Sequence, residues 1–191
     1  MPSWRALVCH PATPGRHVID IQASAERASP QRLVLRYALT GQLEHLRVPV
    51  AQPSRCGERL WEHTCFEAFI ASMDTPAYWE LNLAPSTAWT IYAFRRYRDG
   101  GTVEIDRGPA LSVQRTPERL DLTATLDLDT LPGVPTHAPL RLGLSAVVEN
   151  ERGERSYWAL RHLPGQPDFH HPEAFVLTLA PTAGDVAGAA R

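Results

Sequence analysis

Two short segments carry the residues best suited to chemistry. Trp61-Glu62-His63-Thr64-Cys65-Phe66-Glu67 leads from an aromatic loop residue into an extended run, and Tyr78-Trp79-Glu80-Leu81-Asn82-Leu83 alternates polar with apolar side chains. Successive side chains of an extended chain point to opposite faces, so Trp79, Leu81 and Leu83 share one face while Glu80 and Asn82 share the other. Glu67 likewise opposes Phe66 and Ala68. If the two runs pair, Glu67, Glu80 and Asn82 converge on one concave surface beside Trp61. Carboxylates accept hydrogen bonds from hydroxyls, an amide both accepts and donates, and a flat ring can cover the apolar face of a sugar. That combination suits holding a small, hydroxyl-rich ligand. The competing structural reading is a solvated outer face with scattered charges.

No catalytic motif accompanies these residues. The chain has no G-x-S-x-G, Walker loop, G-x-G-x-x-G or H-E-x-x-H. Glu67 and Glu80 could form the carboxylate pair of a glycoside hydrolase, for which separations of about 5–9.5 Å are diagnostic, but the expectation is a binding protein and not an enzyme. His162, His170 and His171 cluster late, with His63 and Cys65 earlier. Adjacent His170 and His171 cannot both face one site from a strand, and no spacing matches a closed zinc site. Loop histidines hydrogen-bonded to backbone are the simpler expectation, with no metal and no cofactor.

The elements that must position these residues are strands. In Arg119 to Leu128 the apolar set is Leu120, Leu122, Ala124, Leu126 and Leu128, and Leu140 to Val148 repeats the alternation. His17–Ala23, Arg32–Thr40, Phe66–Ser72, Tyr78–Ala84, Ala88–Phe94 and Ala174–Ala180 also read as strands. Turn signals fall between them, at Pro14-Gly15, Asp99–Gly101, Gly108-Pro109, Leu131–Gly133 and Glu151–Gly153. Seventeen prolines disfavour long helices. The pattern predicts an all-β chain folded as an antiparallel β-sandwich, with residues 1–180 as one domain and 181–191 as a flexible tail.

Composition narrows the partners. The chain has 191 residues, a net charge of -2 and a pI near 6.4, so no basic field favours nucleic acid or an anionic membrane. All nineteen positive residues are arginine. Three cysteines, Cys9, Cys56 and Cys65, argue against a disulfide framework and for a reducing compartment. No run approaches the roughly 20 apolar residues of a membrane span, and the expected location is the cytoplasm.

Trp61-Glu62 followed by Glu67, and the aromatic-x-Glu-x-Asn strand, resemble the DOMON and family-nine carbohydrate-binding-module superfamily, in particular bacterial DOMON-like proteins. Tyr157-Trp158-Ala159-Leu160 and Pro167 to Phe175 are similar to that group's closing strands. The resemblance spans roughly Leu33 to Leu179 and implies a sandwich of jelly-roll type that clamps a saccharide between two rings. Trp61 matches the first ring, and Phe169 sits where a second ring, usually Trp, is expected. Glu67 matches the acidic pocket residue, Asn82 lies on a strand that supplies polar contacts, Ser145 falls where an amide is common, and Asn150 follows in the next turn. Two positions depart from the pattern: Glu80 replaces a frequently basic residue, and Ser145 is shorter than an amide. Both allow a different sugar, an amino sugar or a cationic ligand.

The resemblance implies a saccharide or a cell-wall precursor as partner. Two other readings stay open. Some DOMON members bind haem through Met and His, for which only Met1 and Met73 are available here, and His-His ligation would call on His63 or His45 with a late histidine. An interaction module would instead present a sheet edge to another protein without a small ligand.

Overall fold

The computed structural model describes residues 2–182. In chain order its strands are β1 (Arg5–Ala6), β2 (Val8–Cys9), β3 (Val18–Ser29), β4 (Arg32–Gly41), β5 (Arg55–Cys56), β6 (Cys65–Ser72), β7 (Tyr78–Leu83) and β8 (Ala88–Arg96). There follow β9 (Asp99–Thr102), β10 (Ala110–Arg115), β11 (Arg119–Asp127), β12 (Leu140–Glu149), β13 (Arg155–Ala159) and β14 (Leu177–Leu179). The described helices are single 3-10 turns, among them Leu60–Glu62 and Pro172–Ala174.

Two sheets form a sandwich. One runs β1-β3-β4-β11-β10 and the other β2-β13-β12-β6-β7-β8-β5, with β14 added to β12 and β9 to β8. Pairing is antiparallel except for the short parallel contact of β5 with β8. The alternation read from the sequence sets which face turns inward. Leu33, Leu35, Tyr37 and Leu39 of β4, with Leu120, Leu122, Ala124 and Leu126 of β11, pack against Phe66, Ala68 and Ile70 of β6 and Trp79, Leu81 and Leu83 of β7. Each such large side chain, fully withdrawn from water, stabilises the fold by roughly 1.5–3 kcal/mol. Tyr37 brings one polar atom into this layer, and its hydroxyl donates to the backbone carbonyl of Glu67 at 2.7 Å.

Three expectations about elements are corrected. Asp99–Gly101 is not a turn: these residues belong to β9, and the hairpin reverses at Tyr97–Arg98, where Arg98 takes φ 55°. The two arginines and Asp99 close the hairpin through Arg95–Asp99 and Arg96–Asp99 ion pairs, both 3.1 Å. Ala174–Ala180 is extended only over Leu177–Leu179, because Pro172 opens a 3-10 turn that ends at Ala174. The strand expected at His17–Ala23 continues to Ser29. Strand β10 carried too short an alternation, Leu111 and Val113, to be read as a strand. The tail expected at 181–191 lies outside the described residues from residue 183 onward.

The face of β6 and β7 turned away from the sandwich core is not solvated. All eight residues of β6 and all six of β7 are buried. A second apolar layer covers that face, in which Phe69 and Tyr78 meet Phe169, Ala174 and Phe175 from the segment between β13 and β14. Gly143 on β12 permits the close approach, since a Cβ there would stand 2.9 Å from Cδ1 of Phe175. The segment is pinned by Arg141, whose guanidinium donates to the carbonyls of Pro172 at 2.6 Å and Phe175 at 3.3 Å.

Candidate ligand-binding site

Strand register assembles the site. Ala159, Ser145, Glu67, Asn82 and Thr90 stand side by side across β13, β12, β6, β7 and β8. The neighbouring row holds Gly143, Phe69, Glu80 and Tyr92. Glu67 therefore faces Asn82 directly and Glu80 diagonally, an arrangement in which long side chains still reach one another. Where the apolar roof ends, these rows floor an open cleft of about 360 Å³. Glu67 and Glu80 lie at its base, and Trp61, Tyr92, Tyr157 and Phe169 stand in its walls.

Trp61 is held out from the sheet by the Leu60–Glu62 turn, which begins at Arg59 in the left-handed region with φ 52°. Its indole is 36% exposed and meets Tyr92 edge-on, with ring centroids 5.5 Å apart. Phe169 is buried and packs against Phe69 and Tyr157, centroids at 6.5 and 6.0 Å. One ring is thus presented to solvent while the other is the edge of the second apolar layer.

The acidic residues differ in their partners. Asn82, wholly buried, donates its amide to Oε1 of Glu80 at 2.6 Å, and its Oδ1 lies 3.5 Å from Sγ of Cys65. Oε2 of Glu80 faces Nε2 of His170 at 3.6 Å. Burial pushes the Glu80 carboxyl up, against the pull of the Asn82 hydrogen bond and the Arg98 charge. Glu67 has no such relief. Burial first and the neighbouring Glu80 second hold it well above the ordinary carboxylate range. The pair therefore favours a single negative charge.

His170 reads as a neutral ring of known orientation. The Tyr78 hydroxyl accepts the backbone N–H of Arg98 at 3.0 Å and stands 2.9 Å from Nδ1 of His170. Its own hydrogen is then free for Nδ1, which assigns the imidazole proton to Nε2, on the Glu80 side. Burial, helped by Arg98, lowers the His170 pKa to about 4. Asp168 ties this loop to the β8–β9 turn: it accepts from Arg98 at 2.9 Å, from the Tyr97 hydroxyl at 2.7 Å and from the His170 backbone at 3.1 Å. Those bonds hold the Asp168 carboxyl below its usual range despite partial burial.

Of the residues singled out from the sequence, Trp61, Glu67, Glu80 and Phe169 line the cleft, and Asn82 supports it from beneath through Glu80. Ser145 lies in the Glu67 row with its hydroxyl buried and without a hydrogen-bond partner among the described residues. Asn150 is not brought to the cleft. Its Oδ1 accepts the backbone N–H groups of Arg152 and Glu154 and its amide donates to Glu154, so its place is the β12–β13 turn. Sequence reasoning missed Tyr92, Phe94, Arg98, Arg155 and Tyr157, and did not give His170 this position. Tyr92 and Phe94 alternate on β8 and were accessible in principle from the β7–β8 pairing. Arg98 and His170 arrive from a turn and a loop, where no periodicity reports direction.

The histidines otherwise divide. His162 bonds the carbonyl of Val8 at 2.8 Å and His171 accepts the backbone N–H of Glu173 at 3.2 Å, as expected of loop histidines. His63 instead meets the buried Glu149 at 2.7 Å. No group of three or more metal-ligating side chains occurs among the described residues. Met1 lies outside them, Met73 is exposed, and neither Met73 nor His45 or His63 lines the cleft. Among the described residues no helix is long and apolar enough to cross a membrane.

No protein-family model matches the sequence, and no curated protein matches it. Solved structures of similar fold do exist. A candidate carbohydrate-binding protein from Bacteroides uniformis superimposes with a TM-score of 0.69 at 16% identity, covering 95% of this chain and 87% of that one. A family 9 carbohydrate-binding module from Caldicellulosiruptor kristjanssonii in complex with cellotriose gives 0.53 at 12% identity, over 97% of this chain and 86% of its own. The glucose complex of a family 9 module from that organism gives 0.50 at 12%, over 86% and 76%. The fold is that of these β-sandwich modules.

Proposed function

We propose that this protein is a non-catalytic carbohydrate-binding sandwich that holds a saccharide, or a sugar-like polar small molecule, in the cleft between Trp61 and Phe169. One observation carries the reading: two buried acids and an aromatic wall from six separate segments share one open cleft of about 360 Å³, within the usual range of small-molecule sites. Rings stack on the apolar faces of a pyranose while carboxyl oxygens take its hydroxyl protons. The described solved structures with bound glucose and cellotriose share this fold and support the choice of ligand class. The DOMON-like kinship suggested by the Trp61 and Glu80 motifs belongs to the same proposal. So does a soluble cell-wall precursor as the ligand, in a cytoplasm where Cys9, Cys56 and Cys65 stay free. An interaction module calls for a filled or flat site, and the open cleft argues against it.

Tryptophan emission provides the test, because Trp61 lines the cleft, whereas Trp4, Trp79, Trp89 and Trp158 do not. Titration with mono- and disaccharides at millimolar concentrations is expected to shift the emission. A flat response to all of them would overturn the proposal.

A further inference from the structure

We infer that the cleft prefers an amine-bearing saccharide, its ammonium group held between Glu67 and Glu80; the inference rests on the saccharide reading above. It comes from counting which polar atoms of the cleft are still free. A neutral sugar offers hydroxyls that donate and accept in equal measure, and a matching site supplies both kinds of partner. Here the amide and guanidinium donors nearest the two acids are committed, while the Tyr92 and Tyr157 hydroxyls in the walls can accept as well as donate. The guanidinium of Arg98 is held by Asp168 at 2.9 Å and by the Tyr97 hydroxyl at 3.2 Å. The Asn82 amide donates to Glu80, and Nε2 of His170 stands 3.6 Å from the other Glu80 oxygen. The remaining cationic lining residue, Arg155, is exposed at the rim.

The acceptor left without a donor is Glu67. Glu67 is 3% exposed, lines the cleft, and receives no hydrogen bond from any described side chain. A buried acceptor without a donor is costly, and the cost is largest for a group that can carry charge. Glu80 lies diagonally across the β6–β7 ladder, where backbone positions are about 7–8 Å apart and two glutamates can close on one atom from either side. An ammonium brings three donors and a positive charge to that point, which satisfies Glu67 and offsets the repulsion that otherwise keeps the pair at one negative charge. Trp61 and Tyr92 add ring faces near the same opening, and such faces attract a cation. A hydroxyl in the same place supplies one donor and no charge.

Calorimetric titration of the full chain with glucosamine, glucose and N-acetylglucosamine tests this at about pH 6.5, where an amine of this kind is protonated. Glucosamine is expected to bind about tenfold or more tightly than glucose, the gain of a charge-assisted over a neutral hydrogen bond. N-acetylglucosamine, whose nitrogen is an uncharged amide, is expected to lose that gain. Glu67→Gln is expected to bring glucosamine down towards glucose. Should that variant not fold, the wild-type pH profile decides. Glucosamine affinity is expected to weaken as pH falls and Glu67 and Glu80 take up protons, in the presence of Arg98, His170, Tyr78, Tyr92 and Cys65, none of which gains charge there until His170 does at about 4. Equal or tighter binding of glucose, or a glucosamine affinity indifferent to pH, would overturn the inference and leave the saccharide reading standing. Failure of all three sugars to bind would remove both.

Discussion

Asn82 lies directly opposite Glu67 across the β6–β7 ladder, yet its amide reaches along its own strand to Glu80 at 2.6 Å. The shorter side chain therefore leaves its cross-strand acid unserved and stabilises the negative charge on the diagonal one. This choice of partner, together with Arg98 and His170 on the Glu80 side, differentiates the two buried carboxyls.

Asn82→Ala removes the donor to Glu80 and leaves a buried acceptor without a partner. The expected loss is about 1–3 kcal/mol of stability, read as a lower midpoint in urea with an unchanged slope. A midpoint equal to wild type would show that Asn82 does not support Glu80.

Glu67→Gln should raise the melting temperature at neutral pH. The folded-state pKa of Glu67 lies well above the ordinary value of 4.5, so the fold favours the protonated acid. That contribution is complete below the unfolded pKa and is lost as pH rises through the folded one. The contribution of Glu67 to wild-type stability is thus expected to fall as pH rises above about 4.5. The neutral isostere removes the Glu67 part of the slope and leaves that of Glu80, which has the same sign. Melting curves at acidic and at mildly alkaline pH compare the two proteins, and parallel profiles would refute the assignment.

His170 should stay neutral from about pH 5 upwards and carry its proton on Nε2. Its pKa of about 4 lies below the ordinary histidine value of 6.5, so the stability it contributes is present above 6.5 and is lost as pH falls towards 4. Nitrogen chemical shifts of the imidazole report both the tautomer and the titration. A midpoint near 6.5, or a proton on Nδ1, would contradict the Tyr78–His170–Glu80 arrangement.

Trp61→Ala separates binding from folding. The indole is one-third exposed and its recorded ring contact is an edge on Tyr92, so stability should change by less than about 1 kcal/mol. Sugar affinity should fall about tenfold or more, as expected when a large apolar surface is withdrawn from the ligand. A large stability loss with affinity intact would make Trp61 a cap on the sandwich and not a wall of the site.

Local alternation made much of this legible. Residues two apart on a strand share a face whatever surrounds them, so the pattern Trp79-Glu80-Leu81-Asn82 already separates core from site. The Trp61 and Phe169 positions were reached from motif resemblance, and the cleft brings both into its walls. Loop and turn residues were not legible. Asn150 has the polarity of a site residue but spends its hydrogen bonds on its own turn, and Asp99-Gly100-Gly101 has turn composition but pairs as a strand.

The amino-acid order by itself determined the sandwich and which side chains of β6 and β7 leave its core, because a period of two is a property of consecutive residues. Only the tertiary structure decided that the outward acids are buried. That depends on Phe169, His170 and Phe175 folding back over strands some hundred positions earlier in the chain. Such contacts are fixed by packing and by the Asp168–Arg98 link between two loops, neither of which leaves a repeat in the sequence.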